Sequence, residues 1–539
     1  MTPRHRPRSG LVVLLLFLAA SLPGCGGRGG DGDRRILRIA YEREIDLLNP
    51  FTSQNLADIS YTMIEGLVTT DENNRYVPVL ATTIPTKANG LIAADTGGRV
   101  KITWPLRAGV AWHDGKPFTS KDVCFTWRFV TSPNSETYNR EQYLNILDCQ
   151  APDDTTVVFT WAGEYAYYDG LFEAILPEHI LGAMTAEQIV QYEPYNRGSQ
   201  TIGTGPFKFA EWKSGEYIRV VRNESYWRGA GVPAIDEIVW AFIPDANTRL
   251  NALKSGQYHF GRILPVQVKE VRGINQLGTH LVNSNSVMHV DFNLKTERGR
   301  RLFGDPRVRR ALFHAIDRRA IAEQLMEGTV VVANSPINTT SRFHNPGVAQ
   351  PGFDPAAARA LLDEIGWTVG ADGVRAKDGE RLSFVMLNRA GSTDRIAVAQ
   401  VIQAQLKATG VEVTFETLES AAWTLRWRSS QWEAIVSAWF LPADPSLTGL
   451  YACEGANNMT GFCDPALDEV LKRSDRTLDP DQRKRDLDLA QEMLAESART
   501  LPLYYNVVPE VVSRAVGGYR GSGTNFGSFW NVSEWTLSR

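Results

Sequence analysis

The chain has 539 residues, 43% hydrophobic and 22% charged, with a formal net charge of -4. That length allows two or more domains with sizeable cores, and the composition is that of a soluble globular protein. The mildly acidic balance argues against nucleic acid as the main partner.

At the start, Arg4, Arg6 and Arg8 precede an apolar run, Leu11 to Ala20, and then Leu22-Pro23-Gly24-Cys25. A basic stub, a short apolar core and small residues before a cut site make a secretory signal. The run is too short to span a bilayer as a mature helix. The stretch resembles a bacterial lipoprotein lipobox, which implies removal of residues 1–24 and acylation of Cys25. Cleavage takes away three arginines and no acids, moving the charge from -4 to -7. Several acyl chains on one residue anchor stably, since each buried CH₂ contributes about 0.8 kcal/mol. Residues 25–35, rich in glycine, read as a flexible tether. Beyond the signal, no apolar run has the length of a transmembrane helix.

Strand-like and helical segments then alternate, which predicts a mixed α/β fold. Ile36–Tyr41, Thr156–Trp161, Tyr217–Arg222, Glu237–Ile243, Val411–Glu416 and Ala434–Trp439 are short and rich in β-branched or aromatic residues. Helix starts are marked by Asp-Pro at 305–306, 354–355, 464–465 and 479–480. Each pair offers an N-cap carboxylate and a preset φ at the first helical position. After Asp305, Val308, Leu312 and Ile316 make one buried stripe. The helix after Asp354 should stop at Gly366, a left-handed C-cap.

With Cys25 acylated, Cys124, Cys149, Cys453 and Cys463 remain. An even number in an exported protein suggests disulfides. Cys124–Cys149 with Cys453–Cys463 is the sequence-local choice among three connectivities, and four free buried thiols is the alternative. Catalytic signatures are absent: there is no H-E-x-x-H helix, phosphate loop or G-x-S-x-G elbow. The histidines lack metal-ligand spacing and read as structural. Neither a metal nor a cofactor is expected, and the chain is not expected to be an enzyme.

Five blocks resemble the peptide- and nickel-binding family of solute-binding proteins of ABC importers (family 5). They are Tyr76 to Ala81 (YVPVLA), Trp112 to Val123 (WHDGKPFTSKDV), Ala151 to Val157 (APDDTTV), Ile202 to Phe207 (IGTGPF) with Arg222 to Trp227 (RNESYW), and Asp305 to Leu312 (DPRVRRAL). The resemblance implies a two-lobed periplasmic-binding-protein fold of type II, cluster C, with an extra subdomain in the first lobe. Lobe I would comprise residues 36–286 and 502–539, with the subdomain at about 76–200, and lobe II residues 287–501. A solute would be enclosed between the lobes and passed to permease subunits. The receptor is expected to be a monomer, tethered by its lipid on the outer or periplasmic side.

A zwitterionic peptide needs a cation for its carboxylate and an acid for its amine. Arg389 matches the carboxylate-reading arginine of dipeptide-binding relatives, and an arginine fork can bind both oxygens. An interlobe salt bridge is its alternative role. Trp439 matches an aromatic residue of the family's cleft, or else packs in the core. The family's amine-binding aspartate falls on Pro442 here. Asp444 lies near and could take that role, or could cap a helix as Asp-Pro does elsewhere. Thr52 and Ser53 follow the first strand and could offer hydroxyl or backbone hydrogen bonds from lobe I. The alternative cargo is a non-peptide solute such as an oligosaccharide or nickel chelate. Pro442 supports it, as do Trp423, Trp427, Trp432 and Trp439, whose faces could stack on sugar rings.

Overall fold

The computed structural model describes residues 34–53, 58–95, 97–137, 139–524 and 527–538. Cys25, the signal before it and the tether as far as Asp33 lie outside them. The six strands read from β-branched and aromatic runs all form, within two residues of their expected bounds.

Most of them join one 11-stranded sheet. Its strands are β1 (Ile36–Tyr41), β2 (Phe207–Lys213), β3 (Tyr217–Arg222), β4 (Glu237–Phe242), β5 (Phe260–Arg262), β6 (Leu277–Phe292), β7 (Val331–Val332), β8 (Ser383–Arg389), β9 (Glu412–Leu418), β10 (Ala434–Phe440) and β11 (Thr500–Ser513). The order across the sheet is β9-β8-β10-β6-β11-β5-β1-β4-β3-β2, with β7 against β11. Parallel pairs (β1 with β4 and β5, β8 with β9 and β10) lie inside each half. The halves are joined by the antiparallel pair β6–β11.

That pair is unusually long, with 16 and 14 residues. Its ladder runs from Leu277 opposite Ser513 to Asp291 opposite Thr500, and shifts register between Asn283 and Val287. Before the shift, Leu277 and Val511 pack with Leu250 and Leu253. Beyond it, Met288, Val290, Phe292, Leu501 and Leu503 enter a different core with Leu312, Phe384 and Ile402. Both strands therefore leave one hydrophobic cluster and enter another, and the irregularity lies between.

In the first half, Leu37, Ile39, Trp240 and Trp535 share one cluster with Trp104, Phe159 and Trp161. The last three belong to a four-stranded sheet, Ile92–Ala94, Val100–Pro105, Thr156–Trp161 and Ile146–Asp153. The segment expected as an extra subdomain thus packs into one continuous core with the large sheet. Helix α1 (Ser120–Thr131) packs beside it, joined by the disulfide Cys124–Cys149.

In the second half, α2 (Pro306–His314), α3 (Pro355–Glu364) and α4 (Thr393–Lys407) cover one face of the sheet through Val308, Leu362 and Ile402. Helix α5 (Ser420–Arg428) covers the other through Trp423, against Leu387 and Ile435. Helices α6 (Pro465–Asp475) and α7 (Pro480–Glu496) form a separate cluster with Phe343 and Leu447. All four Asp-Pro pairs cap as expected: each aspartate accepts from a backbone N–H in the first turn, with proline at the helix start. Gly366 adopts φ +87° just past α3. Cys453–Cys463 closes the loop ahead of α6.

Of the sequence blocks behind the family resemblance, Trp112 to Val123, Ile202 to Phe207 and Arg222 to Trp227 meet in the first half, whereas Asp305 to Leu312 caps and forms α2 in the second. The His113 ring accepts from Gly203 N (3.1 Å) and donates from Nε2 to Gly205 O (3.1 Å). Burial pushes its pKa down to about 4, so the ring stays neutral and both contacts persist. Glu65 accepts from Thr204 Oγ1 (2.9 Å), Tyr226 OH (2.6 Å) and Trp227 Nε1 (2.9 Å). Gly205 N donates to Met63 O at 2.9 Å, and a Cβ on Gly203 would lie 1.9 Å from that same oxygen. The glycines are there for close backbone approach. Gly203→Ala should therefore destabilise the protein by about 1–3 kcal/mol through overpacking. A Cβ on Gly163 would meet nothing within 4 Å, so Gly163→Ala should stay within about 0.5 kcal/mol. Coincident denaturation midpoints for the two variants would refute the clash.

Candidate functional site

The candidate site is the face of the second-half sheet that α5 partly covers. Strands β8 and β10 run parallel, with Leu387 opposite Ile435. Alternate residues share a face, so Leu387 and Arg389 lie on the side of Ile435, Ser437 and Trp439. Arg389 ends β8 and is exposed. Its guanidinium sits 5.9 Å from the Trp423 ring. Among the described residues no hydrogen bond or ion pair engages that guanidinium.

Trp439 is half-buried on β10. Its ring lies 5.7 Å from Trp427 and parallel to His289 at 6.4 Å. His289 is buried on β6, and its Nε2 lies 3.1 Å from Asp291 Oδ2. Burial alone would raise the Asp291 pKa, but His289, Thr500 and Arg499 together outweigh it and hold the carboxyl below its ordinary value. The structure thus brings Arg389 and Trp439 onto one face. Of the other tryptophans, Trp423 and Trp432 are buried at 8% and 5% exposure and act as core.

Asp444 differs from both roles expected of it. It caps no helix, because the next one begins at Thr448 with Leu447 as its N-cap. Nor is its carboxylate open to a ligand amine. Asp444 is buried at 5% exposure; Oδ1 accepts from Arg483 Nε (3.0 Å) and Nη2, and Oδ2 from Arg342 Nη2 (3.4 Å). An aspartate this deep needs its charge compensated, and Arg483, itself buried, supplies that from α7.

Thr52 and Ser53 lie in a buried turn of the first half. Both backbone N–H groups donate to Asn49 O. Ser53 Oγ donates to Asp46 Oδ1 at 2.6 Å, which occupies that hydroxyl. Thr52 Oγ1 is buried with no hydrogen-bond partner among the described residues.

Sequence reasoning missed a seam between the halves, built around Asp444. Tyr167 OH, from the first half, donates to Asp475 Oδ1 (2.5 Å) and Pro445 O (3.0 Å). Arg483 lies 4.4 Å from the Tyr167 ring, and Ala166 N donates to Asp475 O at 2.9 Å. Asp169 comes close to Asp444 and Arg342, and its Oδ1 is buried without a partner among the described residues. Tyr76, Tyr165 and Tyr168 complete the surroundings. No local pattern announces this cluster, because its members come from distant segments.

With the geometry in view, comparison with known proteins decides the family. The sequence pattern of the bacterial extracellular solute-binding proteins, family 5 Middle, matches residues 75–461. The chain belongs to that family. It is a solute-binding receptor of the kind that serves ABC importers, with the family's two-lobed fold. It is similar to oligopeptide-binding protein AppA of Bacillus subtilis, 29% identical over 99% of this chain and 100% of AppA. Protein XP55 of Streptomyces lividans is 30% identical over 89% of this chain and 86% of its own. AppA solved in complex with a nonapeptide superposes with a TM-score of 0.78 at 27% identity, over 94% of this chain and 100% of that one. NikZ from Campylobacter jejuni in complex with Ni(L-His) gives 0.78 at 24%, over 93% and 99%, a likeness of fold. Among the described residues, no helix is long and apolar enough to cross a membrane.

The seam carries a pH dependence. Burial, and then the facing charge of Asp444, push the Asp169 carboxyl up from 3.8 to about 7, against the pull of Arg342. A raised acid contributes its stability fully below its unfolded value, near 4, and loses it as pH rises through about 7. The native protein should therefore lose stability relative to Asp169→Asn between pH 5 and pH 8. Thermal melts that run parallel across that range would count against this assignment.

Proposed function

We propose that the chain is a lipid-anchored receptor that takes up peptides between its two lobes and delivers them to an ABC importer permease. The observation that carries the reading is Arg389. It is an exposed cation with no anionic partner among the described residues, 5.9 Å from the Trp423 ring on the sheet face that also carries the half-buried Trp439. A peptide carboxylate is its natural complement, held through two parallel N–H donors. AppA, similar along its whole length, was solved with a nonapeptide bound.

In this reading residues 36–286 and 502–539 form lobe I, with the subdomain at about 76–200, and residues 287–501 form lobe II. The lobes close about the irregular stretch of β6 and β11, a hinge of the sort that binding proteins use. Enclosure removes water and strengthens each polar contact to the cargo. Thr52, whose hydroxyl lacks a partner among the described residues, and Ser53, through its backbone, are the lobe I contributions. Cys25 bears the acyl chains, and residues 25–35 give the monomer its reach from the membrane.

A second reading keeps the receptor and changes the cargo to a non-peptide solute. It is favoured by Pro442 at the position of the amine-binding acid, together with the engagement of both Asp444 oxygens by arginines. An acid chelate or another anionic solute would use Arg389 without needing an ammonium site.

Native mass spectrometry of the full-length protein, purified without refolding, should reveal a ladder of short-peptide masses. A single non-peptide or metal-containing mass would replace the peptide reading with the second. Calorimetry with the recovered peptide should then find Arg389→Ala weaker by about 10- to 100-fold, the effect of one charge-assisted contact. Unchanged affinity would remove Arg389 from the site.

A further inference from the structure

The side chains around Arg389 form an ordered row. Trp423 and Trp427 are one helical turn apart on α5 and stack at 5.7 Å with an interplanar angle of 8°. Trp427 meets Trp439 of β10 at 5.7 Å and 51°. Trp439 in turn lies parallel to His289 of β6, at 6.4 Å and 5°. Four rings from three elements thus make a continuous strip, and the Arg389 guanidinium sits over its first member.

Core packing accounts for only part of the strip. Trp423 and Trp432 are buried with Leu387 and Ile435, and Trp432 Nε1 donates to Trp427 O at 3.2 Å. These contacts fix α5 against the sheet and give Trp427 a rigid backing. Trp427 itself, like Trp439, keeps part of its surface open, as do Leu418 and Met459 at the rim of the same cluster. An apolar surface left open beside an unpaired cation is suited to a ligand with both characters.

The spacing defines that ligand further. Leu387 pairs with Ile435; carried two residues further, that register sets Arg389 level with Ser437, with Trp439 two residues beyond on the same face. With a rise of about 3.3 Å per residue and about 4.8 Å between strands, the Arg389 and Trp439 backbones are on the order of 8 Å apart. A side chain on the residue that bears the carboxylate can span that gap.

We propose that Trp427, together with Trp439, forms an aromatic wall selecting cargo with a large apolar or aromatic group within one residue of the carboxylate held by Arg389. The inference rests on the peptide reading above and narrows it to peptides ending in such a residue. Trp427 acts as a specificity residue: it packs on the side chain, while Arg389 binds the charge. Burying one aromatic side chain there should give a preference of about 10- to 100-fold over glycine.

The test is titration calorimetry on the full-length protein with two peptides identical except for their last residue, phenylalanine or glycine. The native protein should bind the phenylalanine peptide at least about tenfold more tightly. Trp427→Ala should weaken both peptides but bring their ratio close to one, and Trp427→Phe should retain most of the preference. Arg389→Ala should weaken both and leave the ratio largely intact. Thermal melts check that each variant folds; if Trp427→Ala does not, Trp427→Leu takes its place. Equal affinity of the native protein for both peptides would overturn the wall and leave the peptide reading standing. An equal loss on both peptides with an unchanged ratio in Trp427→Ala would make the residue structural, which also overturns it. No binding of either peptide by the native protein would overturn the peptide reading and the wall together.

Discussion

The organisation of this molecule depends on one hydrogen-bonded ladder. Among the described residues, strands β6 and β11 each contribute to separate cores at their two ends. A ladder cannot be opened cheaply, because each buried N–H and C=O must keep a partner. Relative movement of the halves must therefore be absorbed as bending or twisting of these two strands. The irregular stretch from Asn283 to Val287 is where that is least costly, since a bulge already disrupts the ladder and raises local twist. The large cores on either side are close-packed and resist shear, so the deformation concentrates between them.

Two arginines show how differently the same side chain is used. Arg483 is buried and faces Asp444, Tyr167 and the Pro445 carbonyl. Removing either partner of such a pair leaves an uncompensated charge in a low dielectric. Its role is to fix the loop after β10 against α7 and the first half. Arg389 has no such company and keeps its solvation. A cation kept near water costs little in the unliganded protein, and its full strength becomes available when a ligand excludes that water.

Much of the fold was legible because its signals are local. An aspartate before a proline caps a helix through its own next two or three backbone N–H groups, so four Asp-Pro pairs were read correctly from two letters each. Asp444-Pro445 failed for a non-local reason: Arg483, 39 residues on, outcompetes a helix terminus for the carboxylate. The family blocks were equally legible, yet they turned out to hold the scaffold together. His113, Glu65 and the glycines at 203 and 205 lock the first half to itself. That is why the resemblance identifies a receptor more readily than what it carries. The seam was invisible because Tyr167 and Asp475 lie 308 residues apart. The tryptophan cluster was visible as composition, but only the register of β8 against β10 shows which rings flank Arg389.

The ring strip has an optical consequence. Indoles stacked as closely as Trp423 and Trp427 share their electronic transitions, so their circular dichroism and emission depend on mutual orientation. A cargo group laid against Trp427 would alter that coupling, while Trp104, Trp161 and Trp240, sealed in the first-half core, would contribute a constant background. With cargo seated there, the receptor would carry an intrinsic reporter of its own occupancy, readable without a label.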